Sequence, residues 1–384
     1  MNYKERHIAK TIHFSLLLFL SISCPNRSNA QYPVTYSAGG YGGVAIDALG
    51  DVNGDGIEDI VVGYPTDPTT PQNMNNLGYV GSTSVLSGAD LTPIYTFVGS
   101  TSLAQYGKVV VASEDLNGDG VKDILILSRL GGGGHIDVFS GLSGTILFSF
   151  SGQIFDAADV LSDYNSDGVP DIITVERQGF AVGPYTRIRS GIDGSILLSV
   201  SGVSPENAVS LNDISGDGVP DLVVMDPNAG AEIQFLSGFD GSLLHTGQQT
   251  VGVHSPFHLR RAGDLDGDGS IDVVSPGANG TLVVTSSTTG AAIHTIPVPP
   301  STNPSSSLFS FDGGMDINQD GVPDIVGLSI SAVNGASQRV VTYYSGSDAS
   351  MLGSVLVSPP NSIAVRFAGN LDQDGVPDFV VGTT

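Results

Sequence analysis

The chain has 384 residues, 51 of them glycine, with no tryptophan, one cysteine, 14% charged residues and a formal net charge of −25. That charge excludes a reader of nucleic acid or of anionic membrane, which needs a basic face, and a single cysteine excludes a disulfide scaffold or a thiolate metal site. Short Val/Ile/Leu runs broken by Gly, Asp, Ser and Pro, without a sustained 3.6-residue period, predict an all-β chain.

Residues 1–30 have the layout of a secretory leader. Lys4, Arg6 and Lys10 precede an apolar run at 14–22, and Ser28-Asn29-Ala30 forms a small-x-small site before Gln31. Cleavage after Ala30 is expected. Lipid anchoring at Cys24 is not, because Ser21-Ile22-Ser23 is a poor lipobox. The expected division is therefore a signal peptide at 1–30 and one extracellular domain at 31–384, with no transmembrane segment.

After a strand-like stretch at 32–36, Val44-Ala45-Ile46 leads into Asp51-Val52-Asn53-Gly54-Asp55-Gly56-Ile57-Glu58-Asp59. Oxygen-bearing residues fall at positions 1, 3, 5 and 9, and a glycine at position 6 allows a sharp turn. Hard cations need six to eight oxygens at close range, and alternate residues of a tight loop can supply them, with position 7 giving a backbone carbonyl. The ligand set of this first loop is Asp51, Asn53, Asp55, Ile57 and Asp59. The pattern resembles the first half of an EF-hand loop but lacks its Glu at position 12, and a β-branched run follows at once. Strand, loop, strand is the expectation.

The same signature recurs six times. The second and third sets are Asp115, Asn117, Asp119, Val121, Asp123 and Asp163, Asn165, Asp167, Val169, Asp171. The fourth and fifth are Asp213, Ser215, Asp217, Val219, Asp221 and Asp264, Asp266, Asp268, Ser270, Asp272. The last two are Asp316, Asn318, Asp320, Val322, Asp324 and Asn370, Asp372, Asp374, Val376, Asp378. Their starts are separated by 64, 48, 50, 51, 52 and 54 residues. A period near fifty indicates a propeller or solenoid. The longer first interval has a cause in the Pro/Asn/Thr-rich insertion at 64–78, whose turn chemistry forbids a regular element.

About twenty residues after most loops, a strand ends in Ser-Gly and a short turn leads to another strand, as at Ser140-Gly141, Ser190-Gly191, Ser237-Gly238 and Ser345-Gly346. Each unit thus holds four strands: one before the loop, one after it, and a hairpin. Seven such units predict a seven-bladed β-propeller with four-stranded blades. The last loop is followed by a single short strand, so residues 32–36 are expected to add the outermost strand of blade 7 and leave it three-stranded.

These residues carry a family resemblance. The repeated DxNxDGxxD loop followed by an apolar strand is similar to that of FG-GAP (integrin α N-terminal) and VCBS repeat proteins across nearly all of the expected mature chain. Tyr106-Gly107 stands for the Phe-Gly and Gly63-Tyr64-Pro65 for the Gly-Ala-Pro; most other copies lack both. The resemblance implies calcium loops joining the first two strands of each blade on one face. It places partners on the opposite face, on loops joining strands two to three and four to one.

Of the 39 acidic residues, 22 are loop aspartates: four in the Asp264 loop and three in each of the other six. Carboxylates a few ångströms apart repel by about 1 kcal/mol or more per pair. Up to seven Ca²⁺ ions would reverse that term. Asx-turns explain one loop, but not one spacing in seven copies. The Asp264 loop is expected to be the tightest, and the loops with Ser215 and Asn370 weaker. Magnesium fits less well, because it keeps more of its water. The calcium is read as structural, since no loop supplies a spare acid or base; Glu58 at position 8 is read as solvated.

Other features are weaker. His135, His245, His254, His258 and His294 are scattered. Gly131 to Gly134 lack the Lys and helix of a phosphate loop. Arg260-Arg261 is read as flanking the acidic Asp264 loop. Asn279-Gly280-Thr281 is a glycosylation sequon, and only tyrosines (Tyr64, Tyr185, Tyr343, Tyr344) could stack on a sugar. The reading is a secreted, monomeric, calcium-binding propeller acting as an adhesion module for a protein or glycan. Its candidate patch is the blade 1 insertion with Arg129, Glu176, Arg177 and Tyr185. Two alternatives stay open: a polysaccharide- or phosphoester-cleaving enzyme, and a structural surface or matrix component.

Overall fold

The computed structural model describes residues 17–20, 35–36 and 45–383, apart from 68–69, 71–78, 101–103, 131–132, 153, 179–181, 201–206, 227–231, 250–258, 278–279, 299–307, 334–335 and 358–361. Two strands come first, β1 (Leu17–Leu20) and β2 (Thr35–Tyr36). Blade 1 is β3 (Ala45–Gly50), β4 (Asp59–Tyr64), β5 (Ser82–Leu86) and β6 (Pro93–Val98). Blade 2 is β7 (Ala104–Ala112), β8 (Ile124–Leu130), β9 (Gly133–Phe139) and β10 (Ile146–Gly152). Blade 3 is β11 (Ile154–Leu161), β12 (Asp171–Gln178), β13 (Val182–Arg189) and β14 (Ile196–Val200). Blade 4 is β15 (Asn207–Ser210), β16 (Leu222–Asp226), β17 (Glu232–Leu236) and β18 (Leu243–Gln249). Blade 5 is β19 (Arg260–Gly263), β20 (Asp272–Pro276), β21 (Thr281–Thr285) and β22 (Ala292–Pro297). Blade 6 is β23 (Leu308–Met315), β24 (Asp324–Val333), β25 (Ala336–Tyr344) and β26 (Met351–Val357), and β27 (Ser362–Phe367) and β28 (Phe379–Thr383) end the chain.

The repeats predict seven four-stranded blades. The protein is a propeller with six four-stranded blades, each made of four consecutive antiparallel strands, not seven such blades. Among the described residues, the two strands joined by the seventh loop are not followed by third and fourth strands of their own. The pair β27–β28 instead enters a composite sheet of order β2-β1-β28-β27. Residues 32–36 do furnish its outermost strand, Thr35–Tyr36, but not directly against β28: β1 intervenes, with Leu18 opposite Val381. Apart from β1, the proposed leader, its cleavage site and Cys24 lie outside the described residues.

The cores lie between neighbouring sheets, because each sheet is apolar on both faces near the axis. The second strand of blade 1 is buried along its whole length, whereas the outer strand β6 alternates toward solvent. Leu49, Val61 and Val85 of blade 1 pack with Tyr106, Val110 and Ile126 of blade 2. The composite sheet uses its two faces in the same way. Val365, Phe367 and Phe379 pack on Val326, Leu328 and Val341 of blade 6, and Ala364, Ala368 and Val380 pack on Ile46, Ile60 and Val62 of blade 1. It therefore closes the ring between the sixth blade and the first.

Polar stitches run alongside these cores. The residue four places before each loop faces the axis on the innermost strand: Asp47, Val111, Asp159, Val209, Arg260, Asp312 and Arg366. Its three aspartates each reach the next sheet. Asp47 accepts the Ala112 N–H at 2.9 Å, Asp159 the Ser210 N–H at 2.9 Å, and Asp312 the Phe367 N–H at 3.0 Å. Burial raises the Asp47 carboxyl above its ordinary value, against the lowering effect of the Ala112 N–H.

The Tyr106-Gly107 and Gly63-Tyr64-Pro65 pair meets at the seam of blades 1 and 2. The Tyr106 N–H donates to the Val80 carbonyl at 2.8 Å. A side chain on Gly63 would strike the Gly107 carbonyl, and one on Gly81 would enter the Tyr106 backbone. Close approach of two backbones explains the glycines. Gly63→Ala should lower stability by about 2 kcal/mol, as overpacking against backbone does, measured as a shift in the urea midpoint at constant slope.

Candidate metal centres

All seven acidic loops join the first and second strands of a sheet and so emerge on one face. Each loop is organised from its first residue. Asp51 Oδ1 accepts the N–H groups of Gly54 and Asp55 at 2.7 and 3.0 Å, and its Oδ2 that of Gly56 at 2.7 Å. Asp115, Asp213 and Asp264 repeat the arrangement. Position 3 accepts the N–H of position 5, and position 5 that of position 7, as in Asn53 to Asp55 and Asp55 to Ile57. Position 4 must turn left-handed. Glycine takes it in four loops, and Ser166, Gln319 and Gln373 take it at φ of 61°, 62° and 60°.

Position 9 has a different task. Asp59, Asp123, Asp171, Asp221, Asp272, Asp324 and Asp378 are all buried. One carboxylate oxygen accepts the N–H of position 2 (Val52, Leu116, Tyr164, Ile214, Leu265, Ile317 or Leu371) at 2.7 to 2.9 Å. The other oxygen accepts the N–H of Gly88, Gly141, Gly191, Gly238 or Gly346 at the Ser-Gly turn, or of Ser287 in blade 5. The serine hydroxyl of that turn often reaches position 5, as Ser140 does to Asp119 at 2.9 Å and Ser237 to Asp217 at 3.2 Å; Thr288 serves Asp268 in the same way. A Cβ on any of those five glycines would strike the carbonyl of position 8. The second repeat seen in the sequence is thus the docking partner of the first.

The carboxylates converge most closely in two loops. Among the described residues, Asp213, Asp217 and Asp221 form one group and Asp264, Asp266 and Asp268 another, each able to offer three oxygens within 4.8 Å of one another. The Asp264 loop was expected to lead; the Ser215 loop was expected to be weak, yet its carboxylates draw together. In the seventh loop the Oδ1 of Asn370 is buried without a hydrogen-bond partner. Hard oxygens gathered beside like charges, with one orphaned amide oxygen, fit a hard divalent cation, which would neutralise the convergent charge. Burial, helped by the charges of Asp119 and Asp115 and opposed by the Leu116 and Gly141 N–H groups, pushes Asp123 up to about 6. Asp272 rises to about 6 and Asp378 to about 7, again chiefly by burial and secondarily by the neighbouring loop carboxylates.

Several expected roles shift. Position 7, read only for its backbone carbonyl, also contributes its side chain: Ile57, Val121, Val169, Val322 and Val376 pack against the inter-sheet cores. Glu58 is half-buried, and its carboxylate occupies the space that a Cβ on Gly369 would need. Glu176 of the proposed ligand patch is fully buried, held by Arg187 at 2.5 Å and Arg189 at 2.7 Å. Tyr64 and Tyr344 are buried too, so neither offers a sugar platform. His135, His245 and His294 sit in three different blades, while His254, His258, Asn279 and residues 71–78 of the blade 1 insertion lie outside the described residues. Arg260 and Arg261 do not flank their own acidic loop; they face the axis, and Arg261 pairs with Asp159 of blade 3 at 3.0 Å. The signal that could have found this was the position four residues before each loop.

Residues 43–86, most of blade 1, match the FG-GAP repeat family. The chain is thus similar to FG-GAP repeat proteins in blade 1 and to integrin alpha chains over a longer stretch. It is 28% identical to integrin alpha-V of Gallus gallus over 155 residues, 34% of this chain and 13% of that one. It is 37% identical to integrin alpha-8 of Gallus gallus over 94 residues, 24% of this chain and 8% of that one. Integrin alpha-5 of Xenopus laevis is 39% identical over 79 residues, 21% of this chain and 7% of that one. The matched part is thus a small fraction of these curated relatives. Among solved structures, BBS1N in complex with ARL6DN, soaked with lead, superposes with a TM-score of 0.57 at 12% identity, covering 97% of this chain and 98% of that chain. The crystal soaked with mercury gives 0.56 at 12% identity, covering 88% and 91%. That likeness is one of fold. Among the described residues, no helix is long and apolar enough to cross a membrane.

Two outcomes test the loops. Asp272→Ala strands the buried N–H groups of Leu265 and Ser287 and should cost about 2–4 kcal/mol by urea unfolding even in chelator, where a residue acting only as a cation ligand would make no difference. The pH dependence follows from the raised acids. A folded-state value above the unfolded 3.8 gives stability that is complete below 3.8 and is lost as pH rises through about 6 for Asp123 and Asp272 and about 7 for Asp378. In chelator, the melting temperature should therefore fall steadily from pH 5 to pH 8.

Proposed function

We propose that this chain is a secreted, calcium-stabilised propeller that serves as a binding or adhesion module. Its macromolecular ligand, a protein or a glycan, would dock on the face opposite the acidic loops. The observation that carries the reading is the convergence of three carboxylates at Asp213, Asp217 and Asp221 and again at Asp264, Asp266 and Asp268. The similarity to integrin alpha chains supports the adhesion part. Calcium would hold the loops as the buried position 9 aspartates hold their hairpins, which suits a chain whose only cysteine precedes Ala30.

Binding is favoured over catalysis by the state of three of the four axial carboxylates. A general base needs a carboxylate with an oxygen aimed at substrate. Asp47, Asp159 and Asp312 instead each accept a backbone N–H from the next sheet.

Calcium titration with thermal melting tests the proposal. Addition of a calcium-selective chelator should lower the melting temperature by ten degrees or more on the order expected for loss of several kcal/mol of linked binding. Asp264→Asn with Asp268→Asn should remove one ion from the stoichiometry found by calorimetry. An unshifted melt, or a double variant that binds as many ions as the parent, rejects the calcium reading.

A further inference from the structure

The innermost strands enclose an axial cavity of about 390 Å³, lined by acids and bases from six sheets. Its residues Asp47, Asp159 and Asp312 already accept backbone N–H groups of the next sheet. Groups set for chemistry lie instead on the rim of blade 2, where a serine, a histidine and an aspartate meet. Of the three described histidines, His245 has an Nε2 without a partner, and His294 bonds the Gly346 carbonyl at 2.8 Å. His135 joins a hydroxyl to a carboxylate: its Nδ1 lies 2.7 Å from Ser151 Oγ and its Nε2 2.8 Å from Asp137 Oδ1.

Strand pairing brings the three together. His135 and Asp137 are two places apart on β9, so their side chains share a face. Ser151 of β10 stands opposite His135, and Ser149 opposite Asp137, and cross-strand pairs put side chains within reach of each other. β9 begins and β10 ends on the face away from the acidic loops. Asp137 is buried and Ser151 is exposed, so the charge is sheltered while the hydroxyl meets solvent. The carboxylate is fixed from three sides: it accepts from Ser149 at 2.5 Å, from His135, and from the hydroxyl of Tyr106. Burial opposes its ionisation, yet these hydrogen bonds, that of His135 foremost, hold it below the ordinary aspartate value.

The protonation pattern follows from the donors present. An ionised carboxylate only accepts, so His135 Nε2 carries the proton. In the neutral ring Nδ1 then holds the lone pair and accepts from the Ser151 hydroxyl. Nucleophile, base and orienting acid are thus in order, with the two ring nitrogens exchanged relative to the usual serine triad. The backbone supplies an oxyanion donor. β10 is the outermost strand of its sheet, and alternate residues of an edge strand turn their N–H outward. Ser151 and Gly152 are consecutive in the ladder, so one of their two N–H groups lies outside it, beside the nucleophile.

We propose that Ser151 and His135, positioned by Asp137, form an acyl-transfer site that hydrolyses carboxylic esters. Because Ser151 is exposed, the ester can be carried on a molecule too large to enter a pocket. This goes beyond the adhesion reading and does not depend on calcium. Ser151 Oγ attacks the carbonyl carbon while its proton passes to His135 Nδ1, and Asp137 stabilises the imidazolium through Nε2–H. The tetrahedral adduct collapses, the ester C–O bond breaks, and the departing alkoxide takes the proton from Nδ1 to leave as an alcohol. Water repeats the sequence on the acyl-serine, releasing the carboxylic acid and restoring Ser151. Ester and water become acid and alcohol, with no other reactant.

The test is hydrolysis of p-nitrophenyl acetate by the full, calcium-loaded chain, together with fluorophosphonate labelling mapped by peptide mass spectrometry. The parent should show a burst of p-nitrophenol followed by steady turnover, and the label should sit on Ser151. Ser151→Ala removes an exposed hydroxyl, so its melt should match the parent's, while kcat/KM falls about tenfold or more and the burst disappears. His135→Gln should fall as far. Asp137→Asn, at the positioning residue, should lower kcat more than it raises KM and displace the pH–rate profile. If either of the last two does not fold, Ser151→Ala alone decides. Turnover that survives in Ser151→Ala comes from other nucleophiles and overturns the proposal. A label on another residue, or no label, overturns it too and leaves the cluster as a clasp of the blade rim. Melting with and without chelator on the same samples reports the calcium reading separately.

Discussion

The buried aspartate that closes each acidic loop is the constraint on which the rest depends. One carboxylate oxygen holds the loop's own backbone and the other holds the Ser-Gly turn of the hairpin beyond it. A loop between the first two strands is thereby tied to the turn between the last two, and a four-stranded sheet becomes a single rigid wedge. Charged oxygens accepting buried N–H groups make strong bonds, and their loss is costly because both partners are desolvated. The geometry also explains a residue choice that propensity does not. Gly141, Gly191, Gly238 and Gly346 leave no room for a Cβ against the carbonyl of position 8. Blade 5 departs from the rule with Ser287 yet keeps the bond to Asp272.

Wedges alone do not make a ring. The seams between them are apolar, and the axis is where their polar residues meet. Aspartates four residues ahead of three loops accept a backbone N–H from the next sheet, so the same short interval of sequence serves as inner strand and as inter-sheet stitch. Arg366 caps the other end of the circuit, donating from Nη1 to the Val365 carbonyl at 2.6 Å and to Ser310 at 3.1 Å. At blade 3, Glu176 joins Arg187 and Arg189, with the Arg189 guanidinium 4.8 Å from the Phe150 ring centre, so the buried charges are paired and covered.

Strand identity and loop position were open to sequence reasoning because both have short-range causes. The run Ile60-Val61-Val62 is apolar because both of its faces are covered, and the DxNxDGxxD spacing is set within nine residues. The blade count failed for a non-local reason: nothing within residues 370–383 says which distant strands will cover β28. Arg260 and Arg261 were misplaced on similar grounds. Their loop lies four residues away along the chain, but the innermost strand carries them to the axis, beside Asp159 from a sheet two blades back. Glu176 and Tyr344, polar and written into exposed-looking stretches, were drawn inward by partners eleven to thirteen residues away or by the neighbouring sheet.

The amino-acid sequence by itself determined the all-β class, the repeat of four strands and the seven acidic loops, because each follows from periodicity, turn chemistry and spacing inside a single unit. The tertiary structure alone decided how the ring closes, that the ninth aspartate is a clasp for the hairpin, and that charges from six sheets share one axial cavity. Those outcomes depend on contacts between residues from fifteen to more than a hundred places apart, and a linear pattern carries no record of which of its members will meet.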